Sequence, residues 1–304
     1  MFEHEYLKII PATILSSLNN VYVLGDSLFH INTFHFRTSD THVYQLTTRS
    51  LFKNLLLVFK KGSVISKAVW IIDNWSDGYF HWFTDALPRL IASESRISSH
   101  VILLPIRYQK LQFVLDSLKI LNHKIVFYDS KVFIRNLLLP SHTAESGNYN
   151  VNILQSLRYK FGIKENLAGF RKIYVSREKA VKRKILNENN LLILLESLGY
   201  EIHFFEDYHL LKQIEILQQT KTLIGLHGAG LTNMLFMPTN SNILELRNKD
   251  DSHNNCYFSL ASDLGMNYFY QECIGTTSDT HFSDINVSLE VLQHNVGLME
   301  KHKY

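Results

Sequence analysis

The strongest constraint on the fold is a change of period that recurs through the second half of the chain. From Lys172, short apolar runs alternate with longer amphipathic ones: "KIYVSR", "NENNLLILLESLGY", "EIHFFE", "HLLKQIEILQQT", "KTLIGL" and "SNILEL". The short runs are too continuously apolar for a half-solvated strand, and the long ones carry helical spacing. That order specifies a parallel sheet covered by helices. "NYFYQECIG" supplies a later strand, and "FSDINVSLEVLQHNVGLMEK" reads as a closing helix.

The first half carries the alternation less cleanly. "NNVYVLGD", "THVYQL" and "LLLVFKKG" read as short β segments between turn formers, and "GSVISKAVWIIDN" as a β-branched run. In "GYFHWFTDALPRLIASESR", Phe80, Phe83, Leu87 and Leu90 fall on one helical face, with Pro88 the point at which the helix would bend. "HVILLP", "KLQFVLDSLKIL" and "HKIVFYDS" then give strand, helix, strand. After the polar stretch "PSHTAESGNYNVN" the chain is expected to divide into an N-terminal domain, 1–165, and a C-terminal domain, 166–304, whose last helix returns to the first lobe. Two α/β lobes with a cleft between them account for the order.

With 304 residues, 46% of them hydrophobic, each half can enclose a core without disulfides or metal. Cys256 and Cys273 have neither zinc-knuckle spacing nor the density of a disulfide scaffold, so buried free thiols of an intracellular chain are expected. A formal charge of +3 is too weak to imply nucleic acid as a partner, and the basic cluster "REKAVKRK" has to be read locally. The N-terminal stretch lacks a basic leader before a clean apolar core, and no run approaches the roughly 20 apolar residues of a membrane span. The expectation is a cytoplasmic protein, with peripheral contact at the inner face of the cytoplasmic membrane left open.

Functional residues are expected where strands end, because open α/β sheets bind ligands at the carboxyl ends of their strands. In "KTLIGLHGAGLTNMLF", His227 follows an apolar strand and is followed by Gly228 and Gly230, which let a ligand approach the main chain. A helix beginning near Leu231 would add unpaired N–H groups for an anion. Ser176 and Arg177 end another strand, where a guanidinium can clamp a diphosphate. Arg183 offers a second contact, while Asn187 and Glu188 start the next helix. Glu245, inside "NILEL", either accepts from ribose or sugar hydroxyls, caps local backbone, or pairs with Arg247. His81 and Asp85, at i and i+4, can point into one volume as a proton-accepting pair; the bland alternative is a core histidine and a capping aspartate.

The segments "GYFHWFTDALPRL", "KIYVSREKAVKRKILNENNLLILLESLGYE" and "LIGLHGAGLTNMLFMPTNSNILEL" resemble the glycosyltransferase 61 family, including its bacterial capsular-polysaccharide members. The resemblance runs from about Ser76 to Leu246. It implies a GT-B architecture, α/β with two Rossmann-like lobes facing a central cleft, the nucleotide sugar mainly in the C-terminal lobe and the acceptor mainly in the N-terminal one. It also implies an inverting, metal-independent enzyme with no cofactor beyond its nucleotide diphosphate sugar donor. Ser176, Arg177, Arg183, Asn187, Glu188, His227, Gly228, Ala229, Gly230, Leu231, Thr232, Asn233 and Glu245 align with donor-site features, and His81 with Asp85 match the feature facing the reaction centre. Asp85 ranks first as base because a carboxylate can take the acceptor proton in one step. The expected acceptor is an oligosaccharide or lipid-linked glycan, a precursor of bacterial surface polysaccharide or lipopolysaccharide. Another α/β sugar-active enzyme, a hydrolase or epimerase, or a noncatalytic nucleotide-sugar-binding protein are the alternatives.

Overall fold

A computed structural model of the chain describes every residue except 1, 3, 4, 6, 7, 26, 34, 38–46, 165–167, 181, 250, 252–254, 278, 281 and 302–304. The β segment expected at Thr41–Leu46 and the expected domain boundary near 165 lie outside the described residues. The fold is mixed α/β, with two lobes that each contain a sheet.

The first lobe comprises Ile9–Ser146 and Asn152–Lys160. Its strands are β1 (Leu15–Leu24), β2 (Ser27–His30), β3 (His35–Arg37), β4 (Ser63–Val69), β5 (Val101–Pro105), β6 (Ile125–Tyr128) and β7 (Lys131–Pro140). They form one sheet in the order β3-β2-β1-β7-β4-β5-β6. β7, β4, β5 and β6 run parallel, whereas β1 pairs antiparallel with β7 from Leu15↔Pro140 to Leu24↔Lys131. The helices are α1 (Thr48–Leu56), α2 (Tyr79–His81), α3 (Leu87–Ser93), α4 (Gln112–Ile120) and α5 (Val151–Lys160), the last assigned to this lobe from Asn152.

Two readings of this half change. "LLLVFKKG" is not a strand: it ends α1 and continues as a 3₁₀ turn, Leu57–Phe59. A short apolar run has no period of its own, so its neighbours decide, and here they are helical. The helix around Pro88 is not regular α-helix throughout. It widens one turn earlier into a π-helical segment, Trp82–Ala86, and Pro88 falls in the first turn of α3 directly after it.

The second lobe comprises Met1–Lys8, Gly147–Val151 and Phe161–Tyr304. Its strands are β8 (Arg171–Val175), β9 (Glu201–His203), β10 (Thr220–Leu226), β11 (Asn242–Asn248), β12 (Asn267–Gly275) and β13 (Ile285–Asn286), ordered β13-β12-β11-β10-β8-β9. All pairings are parallel except the short edge pair β12–β13. Counted from β8, the parallel strands follow the doubly wound order 2-1-3-4-5. Connections leave β8 and β10 in opposite directions, so a crevice opens at the carboxyl ends of those two strands. The helices are α6 (Glu188–Ser197), α7 (Leu210–Leu217), α8 (Cys256–Asp263) and α9 (Leu289–Lys301). Every residue of β11 is buried, including the polar Asn242, Glu245, Arg247 and Asn248. Leu292, Val296 and Met299 of α9 join Tyr174, Leu191 and Leu244 in this lobe's core.

The first lobe is organised around a buried cation. Arg89 on α3 has no exposed surface. Its Nε and Nη2 donate to the Pro140 carbonyl at 3.0 and 2.7 Å, and Nη1 donates to the Ile71 carbonyl at 3.0 Å. Burial pulls its pKa down to about 10, against the raising effect of Asp73 and Asp85, so it stays charged at neutral pH. Arg89 thereby ties the segment following β4 and the end of β7 to the helix that carries Asp85. Replacing Arg89 by Met should destabilise the protein by about 2–5 kcal/mol, since buried carbonyls lose their donors. Chemical denaturation read by circular dichroism would measure it.

Candidate active site

At the switch point of the second lobe, two strand ends bring together what the sequence kept fifty residues apart. β8 ends into Ser176 and Arg177, and β10 ends into His227 and Gly228. The Arg177 side chain is steered by main-chain acceptors: Nε donates to the Arg183 carbonyl at 3.3 Å and Nη2 to the Lys182 carbonyl at 3.1 Å. Arg183 itself holds a left-handed backbone, φ 56°, which is rare for a side-chain-bearing residue and costs conformational energy. Both guanidiniums converge on Gly228. A Cβ built there would lie 2.5 Å from Arg177 Nη1 and 3.6 Å from Arg183 Nη2. Burial, and then the neighbouring Arg183 charge, pull the Arg177 pKa below its ordinary value. Among the described residues, neither guanidinium is within ion-pair distance of a carboxylate. An anion placed here would relieve two crowded cations at once.

The surrounding residues divide into those that face this space and those that build it. Glu188, buried at the start of α6, accepts from Tyr174 Oη at 2.7 Å, Ser176 Oγ at 2.8 Å and the Arg177 N–H at 3.4 Å. It fixes the β8 turn. Asn187 spends its amide on Val287, donating to its carbonyl at 2.8 Å and accepting from its N–H at 3.0 Å. Gly228 precedes a 3₁₀ helix, Ala229–Phe236, and has φ 157°, a region essentially restricted to glycine. Within that helix Leu231, Thr232 and Asn233 are buried. A Cβ on Gly230 would approach Val175 Cγ1 to 3.2 Å, so this glycine serves packing of the helix against β8.

Glu245 does not present a free carboxylate to a ribose. One oxygen bonds His227 Nδ1 and the other accepts from Tyr268 Oη, and the side chain is 1% exposed. Burial and Glu245 push the Tyr268 phenol far above its usual range, so it remains the donor. Asp251 Oδ2 stands 3.9 Å from His227 Nε2, and the Tyr257 ring meets the imidazole edge-on at 5.1 Å. With Nδ1 held by the carboxylate, Nε2 is the ring atom left to meet a ligand.

In the first lobe, His81 and Asp85 do meet: Nδ1 lies 2.7 Å from Oδ2. Ser146 Oγ donates to the same Asp85 oxygen at 3.2 Å, and Thr84 Oγ1 lies 3.4 Å from the other. The carboxylate is 4% exposed and the imidazole 28%, so the histidine forms the open end of the pair. Trp75 packs over it with ring centroids 5.4 Å apart. Beside them, Asp73 accepts from the Trp75 N–H at 2.8 Å and Ser76 Oγ at 2.9 Å, and its other oxygen is 3.2 Å from His142 Nε2. Burial alone would raise the Asp73 carboxyl; the hydrogen bonds from His142, Trp75 and Ser76 outweigh it and hold it well below the usual carboxylate range. Trp75, Asp73, His142 and Ser146 were not anticipated. "DNWS" carries an aspartate-turn pattern that signals the first of these contacts, whereas nothing local signals Ser146.

Among the described residues, no group of three or more His, Cys, Asp or Glu could hold a metal ion. The second lobe is thus a doubly wound α/β sheet with two cations and a glycine gathered at its switch point. The comparison with known families makes this specific: residues 79–244, more than half of the sequence, match the pattern described as Glycosyltransferase 61, and the chain belongs to that family.

Similar proteins include the EGF domain-specific O-linked N-acetylglucosamine transferase of Drosophila melanogaster, 41% identical over 98 residues, covering 31% of this chain and 18% of that enzyme. The enzyme of the same name from Pan troglodytes is 37% identical over 91 residues, covering 28% of this chain and 17% of its own length. That of Xenopus laevis is 33% identical over 144 residues, covering 45% and 27%. The matched stretch is thus a minor part of each relative.

These relatives overturn the bacterial expectations. A capsular-polysaccharide member, with a surface polysaccharide or lipopolysaccharide precursor as acceptor, does not fit similarity to animal enzymes named for EGF domains. The cytoplasmic assignment falls with it, because EGF domains are disulfide-dense modules of secreted and extracellular proteins. No helix among the described residues is long and apolar enough to cross a membrane. Cys256 and Cys273 are both buried.

Gly228→Ala and Gly230→Ala should behave differently. The first pushes on Arg177 and should weaken binding of a nucleoside diphosphate at least tenfold by calorimetry. The second should leave affinity nearly unchanged and lower stability by about 1–3 kcal/mol through overpacking.

Proposed function

We propose that this chain transfers N-acetylglucosamine from a nucleoside diphosphate donor to a serine or threonine hydroxyl of an EGF-type domain, with inversion and without a metal ion. The observation that carries the donor half is the convergence of Arg177 and Arg183 on Gly228 at the switch point of the second lobe. The activity in the names of the similar animal enzymes supports the sugar and the acceptor class. A GT-B architecture, with donor bound by the second lobe and acceptor by the first, completes the reading.

In this mechanism the diphosphate lies against Arg177 and Arg183, the N–H groups opening the 3₁₀ helix at Ala229, and Nε2 of His227. These groups face the charge that develops as the donor breaks, where preorganised donors act most strongly. Glu245 and Tyr268 hold the His227 ring, and Glu188 holds the turn that carries Ser176 and Arg177. Ser176, Asn187, Thr232 and Asn233 support the loops behind the ligand.

On the acceptor side the geometry favours His81 over Asp85 as the base. The Asp85 carboxylate is enclosed and already receives His81, Ser146 and Thr84, whereas the imidazole keeps an open side. Asp85 fixes the tautomer with the proton on Nδ1, leaving the Nε2 lone pair for the acceptor O–H. As that proton moves to Nε2, the acceptor oxygen bonds to the anomeric carbon. The bond from that carbon to the diphosphate oxygen breaks, and its electron pair leaves with the nucleoside diphosphate.

Two outcomes test the reading. NMR of the first-formed linkage should show an anomeric configuration opposite to the donor's; retention would overturn the single displacement. His81→Ala should lower kcat by about 10²-fold or more with donor affinity unchanged, and Asp85→Asn should lower it less. Near-normal turnover in His81→Ala would return the base role to the carboxylate.

Arg177→Ala should weaken donor binding by about 30-fold or more, as expected when one partner of an enclosed charge pair is removed. Calorimetry against the nucleoside diphosphate would detect this; unchanged affinity would remove Arg177 from the phosphate site.

A further inference from the structure

The first lobe contains a pocket of about 180 Å³ whose lining includes Pro11, Asp73, Trp75, His142, Glu145 and Ser146. No step of the proposed transfer uses it, yet two of its walls end on the His81–Asp85 pair. Ser146 Oγ donates to Asp85 Oδ2 at 3.2 Å, and the Trp75 ring lies 5.4 Å from the His81 ring. The walls are held in place: Asp73 binds the Trp75 N–H and Ser76 on one side and pairs with His142 on the other. Trp75 nevertheless leaves 48% of its surface exposed, while Trp70 and Trp82 are buried. A large aromatic side chain that stays half exposed beside an imidazole offers apolar surface to an incoming group.

We propose that this pocket seats the acceptor polypeptide: a side chain flanking the acceptor hydroxyl lies on the Trp75 indole, with the Glu145 carboxylate as hydrogen-bond acceptor, and the hydroxyl is thereby delivered to His81. The space equals roughly six water volumes, enough for one side chain and too small for a folded module. The seat therefore reads one residue while the rest of the acceptor stays outside. The inference rests on the transfer reading, and it adds which part of the acceptor is recognised and by which residues.

Trp75 is the exposed one of the protein's three tryptophans, so its fluorescence reports the pocket. A disulfide-bonded EGF module should protect it from acrylamide quenching, and Trp75→Phe should lose that signal. Trp75→Ala should raise KM for the module at least tenfold with donor affinity by calorimetry within twofold of wild type, and Trp75→Phe should recover most of the loss. Glu145→Gln should raise KM by a smaller factor. Transfer to the module with Trp75 unprotected and KM unchanged in Trp75→Ala would overturn the seat and leave the catalytic reading standing. Protection without transfer would sustain the seat and sink the catalytic reading. Protection by an N-acetylglucosamine oligosaccharide but not by the module would overturn it in favour of a glycan subsite.

Discussion

Two like charges held close together, with no carboxylate paired to either among the described residues, are the constraint around which the second lobe is arranged. Arg177 and Arg183 repel one another, and burial adds to the cost of keeping Arg177 ionised. Such an arrangement persists only if rigid structure enforces it. The enforcement is visible: carbonyls of Lys182 and Arg183 grip the Arg177 guanidinium, a left-handed residue turns the loop, and Glu188 anchors the strand end beneath it. On the proposed reading, interaction energy with the diphosphate is thereby held ready before the donor arrives, which is how a site avoids reorganising during reaction.

Buried carboxylates in both lobes each hold a second group of the protein in place. Glu245 sets the His227 ring, Glu188 sets the Arg177 turn, Asp85 sets the His81 tautomer, and Asp73 sets the Trp75 turn. Each is nearly enclosed and each receives several donors, so its charge is spent locally. Cationic and aromatic groups are then left to face outward.

Much of the second lobe was legible because its strands are continuously apolar and its helices amphipathic, two periods that cannot be confused over such lengths. The strand ends followed from that reading, and with them Arg177 and His227. Partnerships across strands were not legible. Glu245 meets His227 and Tyr268 because β10, β11 and β12 are adjacent and in register, which spacing along the chain does not encode. In the first lobe, β7 passed unread because "KVFIRNLLLP" mixes charges with apolar residues, and Ser146 reaches Asp85 only through the fold. Arg89 lay inside a segment singled out for its helical face, yet its burial follows from carbonyls contributed by distant chain.

The π-helical turn at Trp82–Ala86 also separates two tasks that a regular helix would couple. A π turn is an α-helix carrying one extra residue, and removing that residue would rotate the N-terminal side of the helix by about 100° relative to the C-terminal side. Pro88 and Arg89 lie on the C-terminal side and are fastened to the first lobe's sheet, whereas His81 lies on the N-terminal side. A one-residue deletion or insertion here would re-aim the imidazole while the anchored half stayed where it is. The direction of the histidine is therefore open to change by the shortest of indels, independently of the fold that supports it.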